Sequence, residues 1–188
     1  ETFALIGDVS GKGVEAAHVT SLAKTVFRLL GQQNKGLREL VIEANQMICR
    51  ELGPGDFITG FILTINLATS SLNYINAGHY PPLLLSNNKV KFKELNTYNF
   101  PLGVFPDTFF EMKKTSFKRG DMLVLFTDGV VEARNKNELF GLNNLKQELQ
   151  KNKDQPLEVI KEQLLQAIIK FTNNFLTDDL AFLLIKAV

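Results

Sequence analysis

Four aspartates occupy positions where a carboxylate could take part in chemistry. Asp8 follows Ala4-Leu5-Ile6-Gly7, Asp128 follows Leu123-Val124-Leu125-Phe126-Thr127, and Asp178-Asp179 precede the apolar run from Leu180 to Ile185. Each lies at the end of a strand-like run, where a side chain can be held rigidly and still face a cleft. Any one of them alone is a routine turn residue. As a set they suggest carboxylates converging on hard cations. Oxygen-only ligands suit Mg²⁺ or Mn²⁺, and neither the lone Cys49 nor the two histidines, far apart in the chain, supply a zinc pattern. Phosphate chemistry needs such ions, because a phosphomonoester dianion repels an anionic nucleophile unless metals neutralise it and lower the pKa of a bound water.

The elements that must carry these residues can be read from periodicity. The run Phe3-Ala4-Leu5-Ile6 reads as a strand and leads into the loop Gly7-Asp8-Val9-Ser10-Gly11-Lys12-Gly13. Ala16, Ala17, Val19, Leu22, Ala23, Val26, Phe27 and Leu30 then recur at helical spacing, and Leu37, Leu40, Val41, Ala44, Met47 and Ile48 make a second stripe that Gly53-Pro54-Gly55 must end. Phe57 to Leu67 and Leu72 to Asn76 read as a hairpin turning at Ala68-Thr69-Ser70-Ser71. Leu83 to Leu85, Val90 to Leu95, Phe109 to Phe117 and Met122 to Thr127 continue as short strands, an antiparallel meander. Helical spacing returns in Leu142 to Leu149 and from Leu157 to Phe171, before a last strand from Leu180 to Ile185. Strands and helices do not alternate, so a parallel α/β fold is disfavoured and a layered α+β fold is favoured.

Composition bounds the rest. The chain has 188 residues, 45% of them apolar, which suits one domain with a real core spanning residues 1–188. A net charge of +1 lacks the basic footprint of a nucleic-acid binder. One cysteine excludes an internal disulfide framework, which fits a reducing cytoplasm. No apolar run reaches membrane-spanning length, so no membrane contact is expected of this domain, while a membrane-tethered parent protein stays open. Because a strand-like run begins almost at Glu1, the chain is expected to start inside a sheet, as part of a longer, sensor-linked protein whose first strands lie upstream.

Five motifs appear in order: Gly7-Asp8-Val9-Ser10-Gly11-Lys12-Gly13 leading into Ala16-Ala17; Asn76-Ala77-Gly78-His79-Tyr80-Pro81-Pro82; Pro101-Leu102-Gly103; Gly120-Asp121-Met122-Leu123 with Phe126-Thr127-Asp128-Gly129-Val130-Val131-Glu132-Ala133; and Asp178-Asp179-Leu180. Together they resemble the SpoIIE- and RsbU-type phosphatases, the bacterial branch of the metal-dependent (type 2C) protein phosphatases. The resemblance implies a four-layer α/β/β/α sandwich of two antiparallel sheets flanked by helix pairs. It also implies a site holding two Mn²⁺ or Mg²⁺ ions, with Asp8, Asp128 and Asp178 as the catalytic carboxylates. Asp8 would bridge both metals, the Val9 carbonyl would serve one, and Asp128 and Asp178 would complete the set, with Asp179 as the alternative to Asp178. Water would be the nucleophile, and no side chain would be phosphorylated.

The implied substrate is a phosphoserine- or phosphothreonine-bearing protein of the anti-sigma-factor-antagonist type, acting in partner switching; a homodimer is left open. Two departures stand out. The family's G-G-D-x-Y-D stretch would lie upstream of Glu1, and Ala181 stands where the family often has Thr. Two rivals are carried forward: a phosphatase-like docking module without catalysis, and a metal-dependent nuclease or phosphodiesterase, which the neutral charge disfavours. The glycines of the first motif read as turn formers, Lys12 as a solvated loop residue and Ser10 as a helix cap. His79 reads as a loop-fixing residue ahead of a general acid.

Overall fold

Strand propensity, helical stripes and breakers resolve into fifteen elements in the computed structural model, which describes residues 2–33, 35–87, 91–176 and 178–188. In chain order they are β1 (Thr2–Val9), α1 (Val14–Leu30), α2 (Leu37–Glu51), β2 (Ile58–Asn66), β3 (Ser71–Ala77), β4 (Leu83–Leu85), β5 (Phe92–Glu94), β6 (Lys113–Ser116), β7 (Met122–Phe126), α3 (Asp128–Val131), β8 (Arg134–Asn135), β9 (Glu138–Leu139), α4 (Gly141–Asn152), α5 (Leu157–Phe171) and β10 (Phe182–Lys186). The fold is α+β, and every strand pairing within its sheets is antiparallel. Val90, where one strand was expected to begin, lies outside the described residues. The short helix α3 and the ribbon β8–β9 were not anticipated, being too brief to show a period.

The chain divides into two compact units, Glu1–Pro81 with Leu95–Lys118, and Pro82–Glu94 with Arg119–Val188. In the first, the sheet order is β1-β2-β3-β6. On α1, Val19, Ala23, Val26, Phe27 and Leu30 form one buried stripe, and α2 contributes Leu37, Leu40, Val41, Ala44 and Ile48. Both stripes join Ile58, Ile62, Ile75 and Ala77 of the sheet in a single apolar cluster. The alternate residues Phe61, Leu63, Ile65, Leu72 and Tyr74 are buried as well, so both faces of this sheet are apolar. Glu15 in the first turn of α1 and Arg28 in its last complement the helix dipole.

In the second unit the order is β10-β7-β4-β5, and all five residues of β7 are buried. Leu145 and Leu149 of α4 and Ile160, Leu164 and Ile168 of α5 are buried, and Phe140 meets Phe171 edge to face at 5.5 Å. The strands therefore do not form one meander: β3 is followed by β4 in a different sheet, and the chain returns to β3 only with β6. Gly78, at a φ of 70°, turns the chain after β3, and Pro81-Pro82 cannot donate to a ladder, which ends the first sheet's run there. The strand expected over Phe109–Phe117 is shortened to Lys113–Ser116 for a related reason. Asn99 takes both backbone groups of Glu111, accepting its N–H at 2.7 Å and donating to its carbonyl at 3.1 Å, so that stretch bonds a side chain instead of a strand. Among the described residues no helix is long and apolar enough to cross a membrane.

Candidate active site

The first unit carries Asp8 and Val9 as the last two residues of β1. Register places Asp8 opposite Thr59 and Val9 opposite Ile58, so the side chains of Asp8 and Thr59 leave the sheet on the same face. Gly7 is needed beside them, because a Cβ there would stand 2.7 Å from the Thr59 carbonyl oxygen. Ser10 does not cap α1, whose first residue is preceded by Gly13 with no side-chain cap. Instead its hydroxyl accepts the Phe57 N–H at 2.8 Å while its own N–H donates to the Phe57 carbonyl at 2.9 Å. The competing strand partner wins because Ser10 faces Phe57, one residue beyond the last β1–β2 pair of Val9 and Ile58, and extends that pairing. Gly11 and Gly13 sit at φ values of 88° and 82° with open space around them, which makes them turn formers. Lys12 is exposed.

His79 is buried on the same unit. Its Nδ1 lies 3.1 Å from the Thr59 hydroxyl, which also approaches the Asp8 carbonyl oxygen at 3.4 Å. The loop that presents it is fixed by Asn76, whose amide oxygen accepts the His79 N–H at 2.8 Å and whose amide nitrogen donates to the His79 carbonyl at 2.9 Å. Asn76 is itself held, since Thr97 accepts its N–H at 2.7 Å and Asn99 donates to its carbonyl at 3.0 Å.

The second unit carries the other aspartates. β7 ends at Phe126, and Thr127 then bonds the residue before β10 on three counts: its N–H donates to the Ala181 carbonyl at 3.0 Å, its hydroxyl donates to the same oxygen at 3.3 Å, and the Ala181 N–H donates to that hydroxyl at 3.2 Å. Ala181 enters through its backbone, which accounts for a methyl being tolerated there. Asp128 opens α3, and its Oδ1 accepts the Gly129 N–H at 2.9 Å. Asp178 does the same with the Asp179 N–H at 2.9 Å. Gly129 packs backbone against backbone on the aspartate loop: a Cβ on it would collide with the Asp179 carbonyl oxygen and stand 3.8 Å from the Asp178 Cβ.

The structure thus packs the turn that carries Asp128 against the backbone of the Asp178–Asp179 loop in one unit, and in the other it places Thr59 against both the Asp8 carbonyl and His79, with Val9 next along β1. Among the described residues no three His, Cys, Asp or Glu side chains gather closely enough to hold a metal. The donor chemistry nevertheless fits a hard divalent cation. The second unit contains neither cysteine nor histidine, so whatever its aspartates bind is bound through oxygen.

The family model described as Stage II sporulation protein E (SpoIIE) matches residues 1–188, the whole chain. The chain belongs to the SpoIIE family. Phosphoserine phosphatase RsbU of Bacillus subtilis (strain 168) is 25% identical over 181 residues, covering 96% of this chain and 54% of its own length. The chain therefore spans about half the length of that curated relative. The crystal structure of the RsbU and RsbW domains of Rv1364c from Mycobacterium tuberculosis superposes with a TM-score of 0.84 at 24% identity, over 98% of this chain and 51% of that one. RsbX in complex with magnesium gives a TM-score of 0.70 at 17% identity, over 97% and 79% of the two chains. These likenesses establish the type 2C phosphatase-like fold of the SpoIIE family chain.

Two residues that matter to this arrangement were not legible as functional. Thr59 reads in sequence as an ordinary β-branched strand residue, and only the register opposite Asp8 gives it a role. Asn45 falls on the apolar stripe of α2, yet it is completely buried and bonds the loop that follows Leu102. It accepts the Gly103 N–H at 2.9 Å and donates to the Phe105 carbonyl at 2.8 Å. The signal for it was a polar residue at an apolar helical position.

Proposed function

We propose that this chain is the catalytic domain of a metal-dependent serine/threonine protein phosphatase, hydrolysing phosphoserine or phosphothreonine on a regulatory protein of the anti-sigma-factor-antagonist type. Membership of the SpoIIE family supports the reaction class. The name of the RsbU relative, and the presence of RsbU and RsbW domains in one solved chain, support the partner-switching context. The four-layer α/β/β/α sandwich belongs to the same proposal. A sheet apolar on both faces, with a helix pair packed on one of them, is what one half of such a sandwich requires.

The observation that carries the site is the direct backbone packing of Gly129 on Asp179, which draws the strand-end Asp128 and the Asp178–Asp179 loop to one place. Asp8 with the Val9 carbonyl, Asp128, and Asp178 with Asp179 as its alternative, would hold two Mn²⁺ or Mg²⁺ ions. When bound, the ions would neutralise the phosphoryl oxygens and lower the pKa of water. The chain's own part is to hold carboxylates at fixed places. Asp128 and Asp178 each commit Oδ1 to the amide that follows, which sets the carboxylate plane before any ligand arrives. Thr127 locks the ends of β7 and β10 so that this geometry persists.

The test is Asp128→Asn in the full-length protein, assayed on a phosphoserine protein and on p-nitrophenyl phosphate across a Mn²⁺ series. Loss of at least about 100-fold in turnover with unchanged thermal unfolding is expected, since one metal-facing charge is removed and little packing. Near-wild-type turnover at low micromolar Mn²⁺ would refute the assignment. A wild-type protein that folds, binds its partner and hydrolyses neither substrate would instead identify a docking module.

A further inference from the structure

Three separate contacts run from the start of β2 to the segment that carries Asp8 and Val9. The Phe57 N–H donates to the Ser10 hydroxyl, the Ser10 N–H donates to the Phe57 carbonyl, and the Thr59 hydroxyl lies 3.4 Å from the Asp8 carbonyl oxygen. That oxygen belongs to the peptide joining Asp8 to Val9. Thr59 also reaches sideways, 3.1 Å to His79 Nδ1, and its own carbonyl is what forbids a side chain at Gly7. One residue therefore touches the strand end, the peptide between two proposed ligands and the buried imidazole.

A hydroxyl has one proton to give, and it has two neighbours here. A carbonyl oxygen can only accept, so both contacts are hydrogen bonds in one arrangement alone: His79 Nδ1–H donates to the Thr59 oxygen, and the Thr59 hydroxyl donates to the Asp8 carbonyl. Asn76 holds both backbone groups of His79, so the ring enters this chain from a fixed base.

We propose that Thr59 is a positioning residue for metal binding. Its hydroxyl holds the Asp8–Val9 peptide in orientation and fixes neutral His79 as the Nδ1–H tautomer, tying the strand end to the Asn76–Tyr80 loop. The inference rests on the metal-site reading above and assigns within it a residue that coordinates nothing. Partners of this kind orient ligands, and their loss commonly costs roughly 10–100-fold in metal affinity.

The experiment compares Thr59→Val, Thr59→Ser and Asp8→Asn with wild type in the full-length protein. Mn²⁺ affinity is measured without substrate by the electron paramagnetic resonance of free Mn²⁺, with thermal unfolding alongside. Thr59→Val keeps the branched shape and is expected to weaken Mn²⁺ binding by roughly 10–100-fold, whereas Thr59→Ser keeps the hydroxyl and should restore most of the affinity. A wild-type affinity in Thr59→Val, or a loss in Thr59→Ser as large as in Thr59→Val, overturns the inference while leaving the site reading intact if Asp8→Asn has lost Mn²⁺. A wild-type affinity in Asp8→Asn overturns the site reading and this inference with it. Should Thr59→Val fail to fold, the ¹⁵N shifts of the wild-type His79 ring decide. Protonation at Nδ1 in the neutral form is expected, and protonation at Nε2 overturns the inference.

Discussion

Gly129→Ala isolates the packing that gathers the second unit's aspartates. The substitution adds one methyl at a helical position where alanine is otherwise favoured, so any loss must come from what that methyl meets. It would collide with the Asp179 carbonyl oxygen and sit 3.1 Å from the carbonyl carbon. Carbon atoms rest at roughly 3.5–4.0 Å, so relieving the carbonyl carbon alone requires the loop carrying Asp178 and Asp179 to withdraw by about 0.4–0.9 Å, and the closer oxygen requires at least that much. Both neighbours are backbone, and no rotamer change can relieve the clash. Overpacking of this kind costs about 1–3 kcal/mol, which for a chain of this size lowers the melting temperature by about 2–12 °C. A displacement approaching an ångström at a ligand should also cost on the order of 100-fold in turnover. Gly60→Ala serves as the control, because a Cβ there meets only side-chain carbons, at 3.5 and 3.7 Å. The assay is thermal unfolding together with Mn²⁺-dependent hydrolysis of p-nitrophenyl phosphate. If Gly129→Ala matches Gly60→Ala in both, the close approach of Asp128's helix to the aspartate loop does not define the site.

Asn45→Leu should cost about 1–3 kcal/mol, since it strands the Gly103 N–H and the Phe105 carbonyl that Asn45 now serves; a urea midpoint equal to wild type would refute that accounting. Burial raises the pKa of the Cys49 thiol, with Asp107 adding to the effect and backbone hydrogen bonding to Gly103 opposing it. Only the thiolate reacts with iodoacetamide, so alkylation at pH 8 should be slower than for an unstructured cysteine peptide and should keep rising at pH values where the peptide has levelled off. Equal rates at pH 8 would contradict the assignment.

The α-helices α1, α2 and α5 were legible because each keeps one apolar stripe over three turns or more, α4 because Leu142, Leu145 and Leu149 keep one over about two turns, and the hairpin β2–β3 because its turn residues interrupt two β-branched runs. Sheet membership was not legible. Nothing in Leu83-Leu84-Leu85 says that it pairs with Met122–Val124 and not with β3, since partner choice is a tertiary matter and three buried leucines fit any sheet interior. The extent of β6 was misjudged because Asn99, a dozen residues away, captures the backbone of Glu111. At the site, the aspartates announced themselves by charge at the ends of apolar runs. Thr59 could not, because its role comes from the strand opposite it.

The interleaving of the two units sets a schedule for synthesis. β4 is made early, but in the finished molecule it lies between β5 and β7, with all three of its leucines buried. Its β7 edge has no partner until Met122 and its neighbours leave the ribosome, about 40 residues and roughly 2–8 s later at ordinary elongation rates. For that interval a nascent β4–β5 hairpin presents an apolar, half-paired edge, the kind of surface that holding chaperones occupy and that neighbouring polysome chains can capture. Slow translation between residues 86 and 122 should therefore lower the soluble yield of this chain more than slow translation after residue 130, where the missing strand is already in hand.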